Sequence, residues 1–516
     1  MNQKEISNAF QTRRARIRED MGGEHRLERI RARGGWTIRD RIDDLFDPKT
    51  FTEIGTFARS SRVEDKDDTP GDGKIGGIGR VEGRPVCVVG DDVTVRHGSS
   101  SQVSSKRMDR IYQMAIENGH PFVYFGETGG ARLPDTLDSE GFSLVTPSVE
   151  ISARGRAIPM AAAILGRSFG GSSFKSAMAD FVVQTKGSCL AVTSPRVVEV
   201  AIGEIVGFEE LGGVDVHDRI TGQIDRVAED EGDAIRLIKD WLGYMPANAW
   251  EVPERRDWDG DLSPDKTIYD LVPTRRTRGY DMRRVLRSLT DDGKIFELKP
   301  NFGRSTITAL GLIAGRTVGF IASNPMYYAG ALTPESCDKD TAFVCQCDAF
   351  NIPLIFLQDV PGFLVGKKVE HDRVLSKAIM FQQALTHCQV PRITIVMRKA
   401  FGLAYFSLGG SNRLGANSVV AWPGAEIGFM DPQVGVNVVY ANQLKKAEDA
   451  DAERAQLIKG WTVDTGPFGA AGIMEIDEVI DPGETRSWLR RHMDFLKIVA
   501  PPQGVRKPLA YWPTCY

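Results

Sequence analysis

The stretch Phe169-Gly170-Gly171-Ser172-Ser173-Phe174 follows a short apolar run, Ile158 to Leu165, and precedes residues that favour a helix. This order predicts a strand, a glycine turn and then the N-terminus of a helix. Such a turn presents backbone N–H groups, and the positive end of the helix dipole lies behind them. Together they suit an oxygen that gains negative charge during a reaction, so the turn is a candidate oxyanion site.

A shifted copy of this stretch, Phe401-Gly402-Leu403-Ala404-Tyr405-Phe406, follows 232 residues later. The backbone angles of glycine and proline are hard for other residues to adopt, so agreement at them under one offset indicates two copies of one backbone. The same offset relates Gly79 to Gly311, Gly83 to Gly315, Gly98 to Gly330, Pro121 to Pro353 and Gly130 to Gly362. The chain is therefore predicted to be a tandem duplication with two turns that could hold two oxygens.

Length and charge agree with a globular protein of two domains. The 516 residues exceed what one hydrophobic core usually serves, and two domains of about 250 residues fit the repeat. With 65 Lys and Arg against 69 Asp and Glu, the net charge is −4, so we expect neither a nucleic-acid partner nor a membrane anchor. The first residues contain no apolar segment of the kind found in secretory signals, which favours a cytoplasmic protein.

The order of elements predicts an α/β fold in each copy, because apolar strands alternate with helices. Residues 1–34 are predicted to form a charged helical arm, residues 35–250 the first domain and residues 264–505 the second. Met245 to Ser263, with its prolines and acidic residues, is predicted to be the linker. The first copy carries an extra loop, Arg62 to Gly73, which we expect to be mobile because it is rich in Asp, Lys and Gly.

Each copy has two glycine loops 40 residues apart, Gly130 and Gly170 in the first and Gly362 and Gly402 in the second. Alone, Gly129-Gly130 indicates only a tight turn. Two such loops after strands of one sheet would bring two backbone segments to the same edge, as an oxyanion site requires.

Side chains suited to other familiar chemistry are absent or misplaced. The chain has no phosphate-binding loop of the type G-x-x-x-x-G-K-[ST] and no H-E-x-x-H motif, and Ser168 precedes the glycine turn, which disfavours a nucleophile role. The seven histidines form no spaced cluster, and Cys345 and Cys347 would diverge on a helix, so no metal site is expected.

Titratable side chains near the loops are assigned structural roles. His371 is predicted to begin a helix as a capping or contact residue, with a general-base role as the alternative, and Glu127 and Asp359 are expected to orient loops. The chemistry would then depend on backbone donors, with the proton acceptor supplied by substrate or cofactor.

Five further motifs are distinctive: Gly126-Glu127-Thr128-Gly129-Gly130-Ala131-Arg132, Gly207-Phe208-Glu209-Glu210-Leu211-Gly212-Gly213, Cys347-Asp348-Ala349-Phe350-Asn351, Asp359-Val360-Pro361-Gly362-Phe363-Leu364 and Arg398-Lys399-Ala400-Phe401-Gly402. Together they resemble the carboxyltransferase β subunits of biotin-dependent acyl-CoA carboxylases, the propionyl-CoA type most of all. The resemblance implies two crotonase-like domains per chain, a hexamer, and active sites between chains. It also implies a partner α subunit that supplies biotin carboxylase and the biotin carrier.

In that family carboxybiotin releases CO2, the biotin ureido nitrogen takes the α-proton of the acyl thioester, and the resulting enolate attacks CO2. The resemblance implies that Gly170 and Gly171 form the first oxyanion pair and that Leu403 and Ala404 form the second. It further assigns acyl-CoA to Gly129, Gly130, Ala131, Arg132 and Phe406, and biotin to Gly362, Phe363 and Gly402.

Two departures from the family pattern bear on substrate and activity. The family usually has Gly-Gly-Ala where this chain has Gly402-Leu403-Ala404, and an Asp where it has Phe406. We therefore expect a substrate other than propionyl-CoA. The alternatives are a decarboxylase of the same fold, a biotin-independent crotonase-type hydratase or isomerase, and an inactive scaffold subunit marked by Leu403.

Overall fold

The structure is a computed structural model that describes residues 2–145, 153 and 155–513. The chain divides into two compact units between Trp250 and Glu251, within the stretch predicted as the linker. Each unit contains one eight-stranded sheet with helices, so the predicted α/β class is confirmed.

The first unit is organised around a sheet in the order β1-β2-β3-β4-β5-β6-β8, with β7 paired to β5. Pairings of β1 with β2 and of β2 with β3 are antiparallel, and the others are parallel. The strands are β1 (Thr52–Glu53), β2 (Lys74–Val81), β3 (Arg84–Asp91), β4 (Phe122–Thr128), β5 (Met160–Phe169), β6 (Phe181–Thr185), β7 (Cys189–Ala191) and β8 (Arg226–Ala228).

The second unit repeats this topology as β9-β10-β11-β12-β13-β14-β16, with β15 paired to β13. Its strands are β9 (Phe296–Leu298), β10 (Thr306–Ile313), β11 (Arg316–Ser323), β12 (Leu354–Val360), β13 (Arg392–Phe401), β14 (Ser418–Ala421), β15 (Glu426–Gly428) and β16 (Glu478–Val479).

Helices flank the strands in both units. Those of the first unit are α1 (Gln3–Asp20), α2 (Glu24–Arg31), α3 (Ile38–Leu45), α4 (Gln102–Asn118), α5 (Leu133–Thr136), α6 (Ser139–Ser143), α7 (Gly171–Ala177), α8 (Pro195–Ile202), α9 (Phe208–Gly212) and α10 (Glu231–Leu242). Those of the second unit are α11 (Ile268–Leu271), α12 (Met282–Leu289), α13 (Pro334–Ala349), α14 (Lys367–His371), α15 (Val374–His387), α16 (Gly402–Ser407), α17 (Pro432–Val439), α18 (Ala441–Leu444), α19 (Ala450–Asp464), α20 (Pro467–Gly472) and α21 (Thr485–Phe495).

The duplication is visible in backbone conformations that side chains rarely tolerate. His97 and Ala329, which are 232 residues apart, have φ of 55° and 53°, although neither is glycine. Gly170 and Gly402 have φ of 63° and 61°. Because left-handed backbone is uncommon outside glycine, its recurrence at equivalent positions shows that the copies share a backbone and not only a pattern of glycines.

Local signals begin the same helix in both copies. The side chain of Ser101 accepts a hydrogen bond from the Ser104 amide at the start of α4, and Ser104 bonds back to the Ser101 amide. Thr333 and Ser336 form the same capping box at α13. A cap of this kind stabilises a helix by about 1 kcal/mol.

The cores lie between sheet and helices and are built from the apolar strands. A fully buried parallel strand needs apolar residues on both faces, and β12 and β13 are buried along their whole length. In the first unit the core includes Val89, Ile111, Phe122 and Tyr124.

The extra loop of the first copy differs from expectation at its C-terminal end. Gly71, Asp72 and Gly73 are buried and have left-handed backbone, and the Asp72 carboxylate is paired with Arg132. The prediction that the whole loop is mobile is therefore wrong for these residues, because a buried ion pair fixes them.

Candidate active site

The first glycine turn lies at the carboxyl end of β5, as predicted. Gly170 has φ of 63° and ψ of −135°, and α7 begins at Gly171. The Gly170 amide donates to the Val192 carbonyl oxygen at 3.0 Å. Gly170 is therefore not a free donor, which corrects the expectation that it forms an oxyanion pair with Gly171. Within the described residues, the amides of Gly171 and Ser172 donate to no backbone oxygen, as helix geometry dictates for the first residues of a helix.

The second glycine loop of the first copy follows β4, which is the neighbour of β5. Gly130 has φ of 105°, and its carbonyl accepts a hydrogen bond from the Ser100 amide at 2.9 Å. A side chain at Gly170 would place its Cβ 3.9 Å from the Gly130 Cα, so the two loops adjoin at one edge of the sheet. Gly129 and Ala131 are exposed beside them.

Arg132 fixes this loop through buried contacts. Its side chain is 5% exposed, and its guanidinium pairs with Asp72 Oδ1 at 2.5 Å and donates to the Ser99 carbonyl at 3.2 Å. These contacts hold the guanidinium inside the unit, so Arg132 positions the loop, and its predicted contact with acyl-CoA stays a prediction.

A buried polar network that sequence reasoning missed lies beneath the first turn. Asp91 is fully buried and accepts hydrogen bonds from the Tyr124 hydroxyl at 2.8 Å and the Glu127 amide at 3.0 Å. The Tyr124 hydroxyl lies 2.5 Å from Ser172 Oγ, at the start of α7. Burial, reinforced by the Asp91 charge, raises the pKa of Tyr124 well above its ordinary value.

Glu127 is held by an arginine, in agreement with its predicted orienting role. Its carboxylate accepts a hydrogen bond from Arg41 at 2.6 Å, and Arg41 also donates to Glu231 at 2.5 Å. Burial raises the pKa of Glu127, and the Arg41 charge opposes that rise.

The second copy places its two loops in the same way, at the ends of the paired strands β12 and β13. Gly362 has φ of 142°, and its carbonyl accepts from the Leu332 amide at 3.1 Å. Phe363 forms a parallel bridge with Leu332. These contacts repeat those of Gly130 and Ser100 under the same offset.

The second turn presents two backbone donors. Gly402 has φ of 61°, and within the described residues the amides of Leu403 and Ala404 donate to no backbone oxygen. The Leu403 side chain is 69% exposed, so its Cβ points away from the packed interior. Leu403 therefore leaves the turn geometry intact.

Phe406 lies in the first turns after this loop and is partly buried. Its ring packs against the apolar cluster that includes Val396 and Ala400, and its centroid lies 5.1 Å from that of Tyr405. These contacts explain why an apolar side chain stands at this position. The predicted contact of Phe406 with the acyl group stays a prediction.

Asp359 is the second copy's counterpart of Glu127 and is fully ion-paired. Its carboxylate accepts from Arg398 Nε at 2.9 Å and lies 3.5 Å from Lys399 Nζ. Arg398 also donates to three backbone carbonyls, those of Pro273, Arg275 and Arg278. Asp359 thus orients a loop, as expected.

Other candidate residues lie outside this arrangement. Ser168 is buried on β5 before the turn, where its hydroxyl donates to Ser172 Oγ at 3.2 Å. His371 is exposed at the end of α14, so the prediction that it begins a helix is wrong. Across residues 2–145, 153 and 155–513, no group of three His, Cys, Asp or Glu side chains could hold a metal ion. The helices in this part of the chain are all too short or too polar to cross a bilayer.

Curated relatives cover most of the chain. It is 36% identical over 472 residues to the methylmalonyl-CoA carboxyltransferase 12S subunit of Propionibacterium freudenreichii, spanning 90% of this chain and 89% of that protein. It is 34% identical to the carboxyltransferase subunit of propionyl-CoA carboxylase from Haloferax mediterranei, over 92% and 93% of the two chains. A third relative, the methylmalonyl-CoA decarboxylase subunit alpha of Veillonella parvula, is 33% identical over 90% and 91%.

A solved structure confirms the architecture. The transcarboxylase 12S crystal structure, a hexamer assembly with methylmalonyl-coenzyme A bound, superposes with a TM-score of 0.90 at 33% identity and covers 98% of both chains. The carboxyl transferase domain matches residues 29–497, which include both pairs of glycine loops. This chain therefore belongs to the carboxyl transferase family.

Proposed function

We propose that this chain is the carboxyltransferase component of a biotin-dependent acyl-CoA carboxylase and transfers a carboxyl group to the α-carbon of an acyl-CoA. The observation that carries the proposal is the pair of turns at Gly171-Ser172 and at Leu403-Ala404, whose amides donate to no backbone oxygen in the described part of the chain. Glu127 and Asp359, the carboxylates beside the turns, are held in ion pairs. Asp91, which accepts a hydrogen bond from Ser172 Oγ, is paired with Lys74. Each turn thus offers backbone donors, and all three of these carboxylates are held in ion pairs.

The first turn would bind the thioester oxygen, which becomes negative when the α-proton leaves. Donors that are fixed before the reaction stabilise that charge, and each typically contributes about 3 kcal/mol of transition-state stabilisation. The CoA ester would bind at the same edge of the sheet, against Gly129, Gly130 and Ala131. The adjoining position of Gly130 and Gly170 supports this assignment.

The second turn fits the ureido oxygen of biotin, because a neutral carbonyl oxygen can accept from both free amides. Biotin, carried on a partner subunit or domain, would supply the transferable carboxyl group and the nitrogen base. Leu403 and Ala404 would hold that oxygen, and Gly362, Phe363 and Gly402 would shape the neighbouring loops. The exposed Leu403 side chain leaves these donors accessible.

The partners follow from what this chain lacks. It has no Met-Lys-Met biotinylation motif and no ATP-binding glycine loop, so biotin carboxylase and biotin carrier functions would come from an α subunit. We expect the purified chain alone to fix no bicarbonate onto acyl-CoA with ATP and to do so once the partner is added. ATP-dependent carboxylation by the isolated chain would contradict this division of labour.

Substrate choice is tested with Phe406. We expect the wild type, with its partner, to prefer an acyl-CoA other than propionyl-CoA in a panel of acetyl-, propionyl-, butyryl- and aromatic acyl-CoAs. Phe406→Asp should change the ranking, since one methylene already alters discrimination by about 1–3 kcal/mol. Phe406→Leu, which keeps the apolar packing, is the matched control. Identical rankings led by propionyl-CoA in all three proteins would refute a specificity role.

The direction of the reaction distinguishes the second candidate, a decarboxylase, which the relative from Veillonella favours. A decarboxylase would transfer the carboxyl group of a carboxylated acyl-CoA to biotin, with a proton replacing it on the α-carbon, and a further subunit would release CO2 from carboxybiotin. Measuring both directions with the same reconstituted partner separates the two. Net carboxylation driven by ATP supports the first candidate. Carboxybiotin formation from a carboxylated acyl-CoA, without any ATP-driven carboxylation, supports the second.

We also propose that the chain assembles as a hexamer, because the family resemblance places each active site between chains. Closed symmetry completes every site at once. Light scattering should report a mass near six chains. A monomer with full activity would refute this assembly.

A further inference from the structure

The polar network beneath the first turn connects one hydroxyl to three strands. Ser172 Oγ lies 2.5 Å from the Tyr124 hydroxyl on β4, accepts from Ser168 Oγ on β5 at 3.2 Å and donates to Asp91 Oδ2 at the end of β3 at 3.3 Å. Lys74 on β2 pairs with Asp91 Oδ1. Both charged side chains are buried, at 1% and 0% exposure. The start of α7 is therefore tied directly to the sheet.

The second copy has the same backbone without this network. The residues at the offset of 232 are uncharged and mostly apolar: Thr306 for Lys74, Ser323 for Asp91, Phe356 for Tyr124, Ala400 for Ser168 and Ala404 for Ser172. One backbone contact survives, because the Asp359 amide donates to Ser323 Oγ at 3.1 Å as the Glu127 amide donates to Asp91 at 3.0 Å.

Comparison of the two copies shows that their shared backbone does not require the polar network. Strands β12 and β13 keep the register of β4 and β5, including the same irregularity before their ends. Because Phe356 and Ala404 support that backbone, the hydroxyls of Tyr124 and Ser172 are not needed to form it. Buried polar networks have a high desolvation cost and fix geometry when every member is satisfied.

We propose that Ser172, Tyr124 and Asp91 are positioning residues that fix the direction of the Gly171 and Ser172 amides at the first turn. The inference rests on the proposed function, in which negative charge develops on the thioester oxygen at this turn. Donors act on a developing charge only when their direction is set in advance. Lys74 neutralises Asp91, so the network adds no net negative charge beneath that oxygen.

The test replaces network residues by those of the second copy. In the full chain with its partner, the double variant Tyr124→Phe, Ser172→Ala should lower kcat about 10-fold or more and change KM for acyl-CoA less than 2-fold. Ser176→Ala is the matched control. It lies on the same helix and is also buried, and its hydroxyl donates to the Ser172 backbone carbonyl and not to the Ser172, Tyr124 or Asp91 side chains. The control should retain kcat within 2-fold.

Hydrogen exchange gives a readout that does not need activity. Peptides covering residues 170–177 should exchange about 10-fold faster in the double variant than in the wild type or in Ser176→Ala, while peptides from β12 and β13 stay unchanged. Unaltered kcat together with unaltered exchange would overturn the proposal. If the double variant fails to fold, the single variant Ser172→Ala takes its place, with the same expected decrease in kcat and the same expected increase in exchange rate.

The two hypotheses fail in different ways. A wild type that carboxylates and decarboxylates no acyl-CoA with its partner refutes the proposed function, and the exchange comparison then still decides whether the network orders the turn. An active wild type whose double variant matches the control refutes only the positioning role.

Discussion

Replacing Asp72 by Asn should loosen the glycine loop that we assign to acyl-CoA. Asp72 is fully buried, and its two carboxylate oxygens serve different elements. Oδ1 pairs with Arg132 at 2.5 Å, and Oδ2 accepts from the Ser104 amide at 2.9 Å at the start of α4. Asn preserves the shape and one acceptor, so the change removes mainly the charge.

The free-energy cost of Asp72→Asn depends on which negative charges remain near Arg132. Its nearest other carboxylate oxygen is that of Asp135 at 3.9 Å. Breaking a buried ion pair by removing one partner costs about 3–5 kcal/mol, because the other charge stays buried. A cost of about 3 kcal/mol corresponds to roughly a 100-fold increase in the population of the opened loop.

Hydrogen exchange of the full chain measures that opening directly. The amides of Ser100 and Arg132, which bond across the bridge between the two loops, should lose about 100-fold of protection in Asp72→Asn. Asp67→Asn changes a fully exposed position in the same loop and should leave the protection of these two amides unaltered. Arg132→Leu introduces the residue that the second copy has at this position, Leu364, and the double variant with Asp72→Asn should cost less than the two single variants added together. Additive costs, or full protection in Asp72→Asn, would refute the role of the pair.

Three further predictions concern stability. Gly170→Ala should lower the free energy of unfolding of the first unit by about 1–3 kcal/mol, because alanine rarely adopts the backbone angles of Gly170. Gly171→Ala, where the added Cβ meets open space at ordinary φ, should change that free energy by less than about 0.5 kcal/mol. Equal effects of the two variants in calorimetry would contradict this. Burial lowers the pKa of Lys175 to about 8 from 10.5, so folding carries the full cost of its charge below pH 8 and none above pH 10.5. Lys175→Met should therefore stabilise by at most about 3 kcal/mol at pH 7 and by progressively less towards pH 10.5, and a gain independent of pH would exclude this cause. Gly435→Ala should destabilise the second unit by about 1–3 kcal/mol, because its Cβ would overlap the Trp461 ring, while Gly460→Ala, where a Cβ meets nothing, should not destabilise.

The duplication and the α/β class could be predicted from sequence because they depend on residues with hard backbone constraints. The glycines at 130, 170, 362 and 402 all have positive φ. Residues 354–357 of β12 are apolar on both faces, which marks a strand covered by helices. Constraints of this kind are local and can be read without knowing the partner strands.

The pairing of individual polar groups could not be predicted in the same way. The Gly170 amide is occupied because β7 pairs with the end of β5, a contact between residues 22 positions apart that no local pattern announces. Asp72 and Arg132 are likewise distant in sequence, and the composition of Arg62 to Gly73, the loop that contains Asp72, predicted a mobile segment. Comparison of the copies at the offset of 232 could have revealed the network, since its charged and hydroxyl residues correspond to uncharged, mostly apolar residues in the second copy.

The irregular register of β5 has a mechanical consequence for both turns. Between Gly126 and Thr128, β4 advances two residues while β5 advances four, from Ile164 to Ser168. Beyond that point β5 leaves β6 and pairs with β7 over Arg167–Phe169. β13 does the same with β15. Each turn therefore follows a strand end that pairs with one short strand outside the main strand order, so the position of its donors depends on that short strand as well as on the core of the sheet.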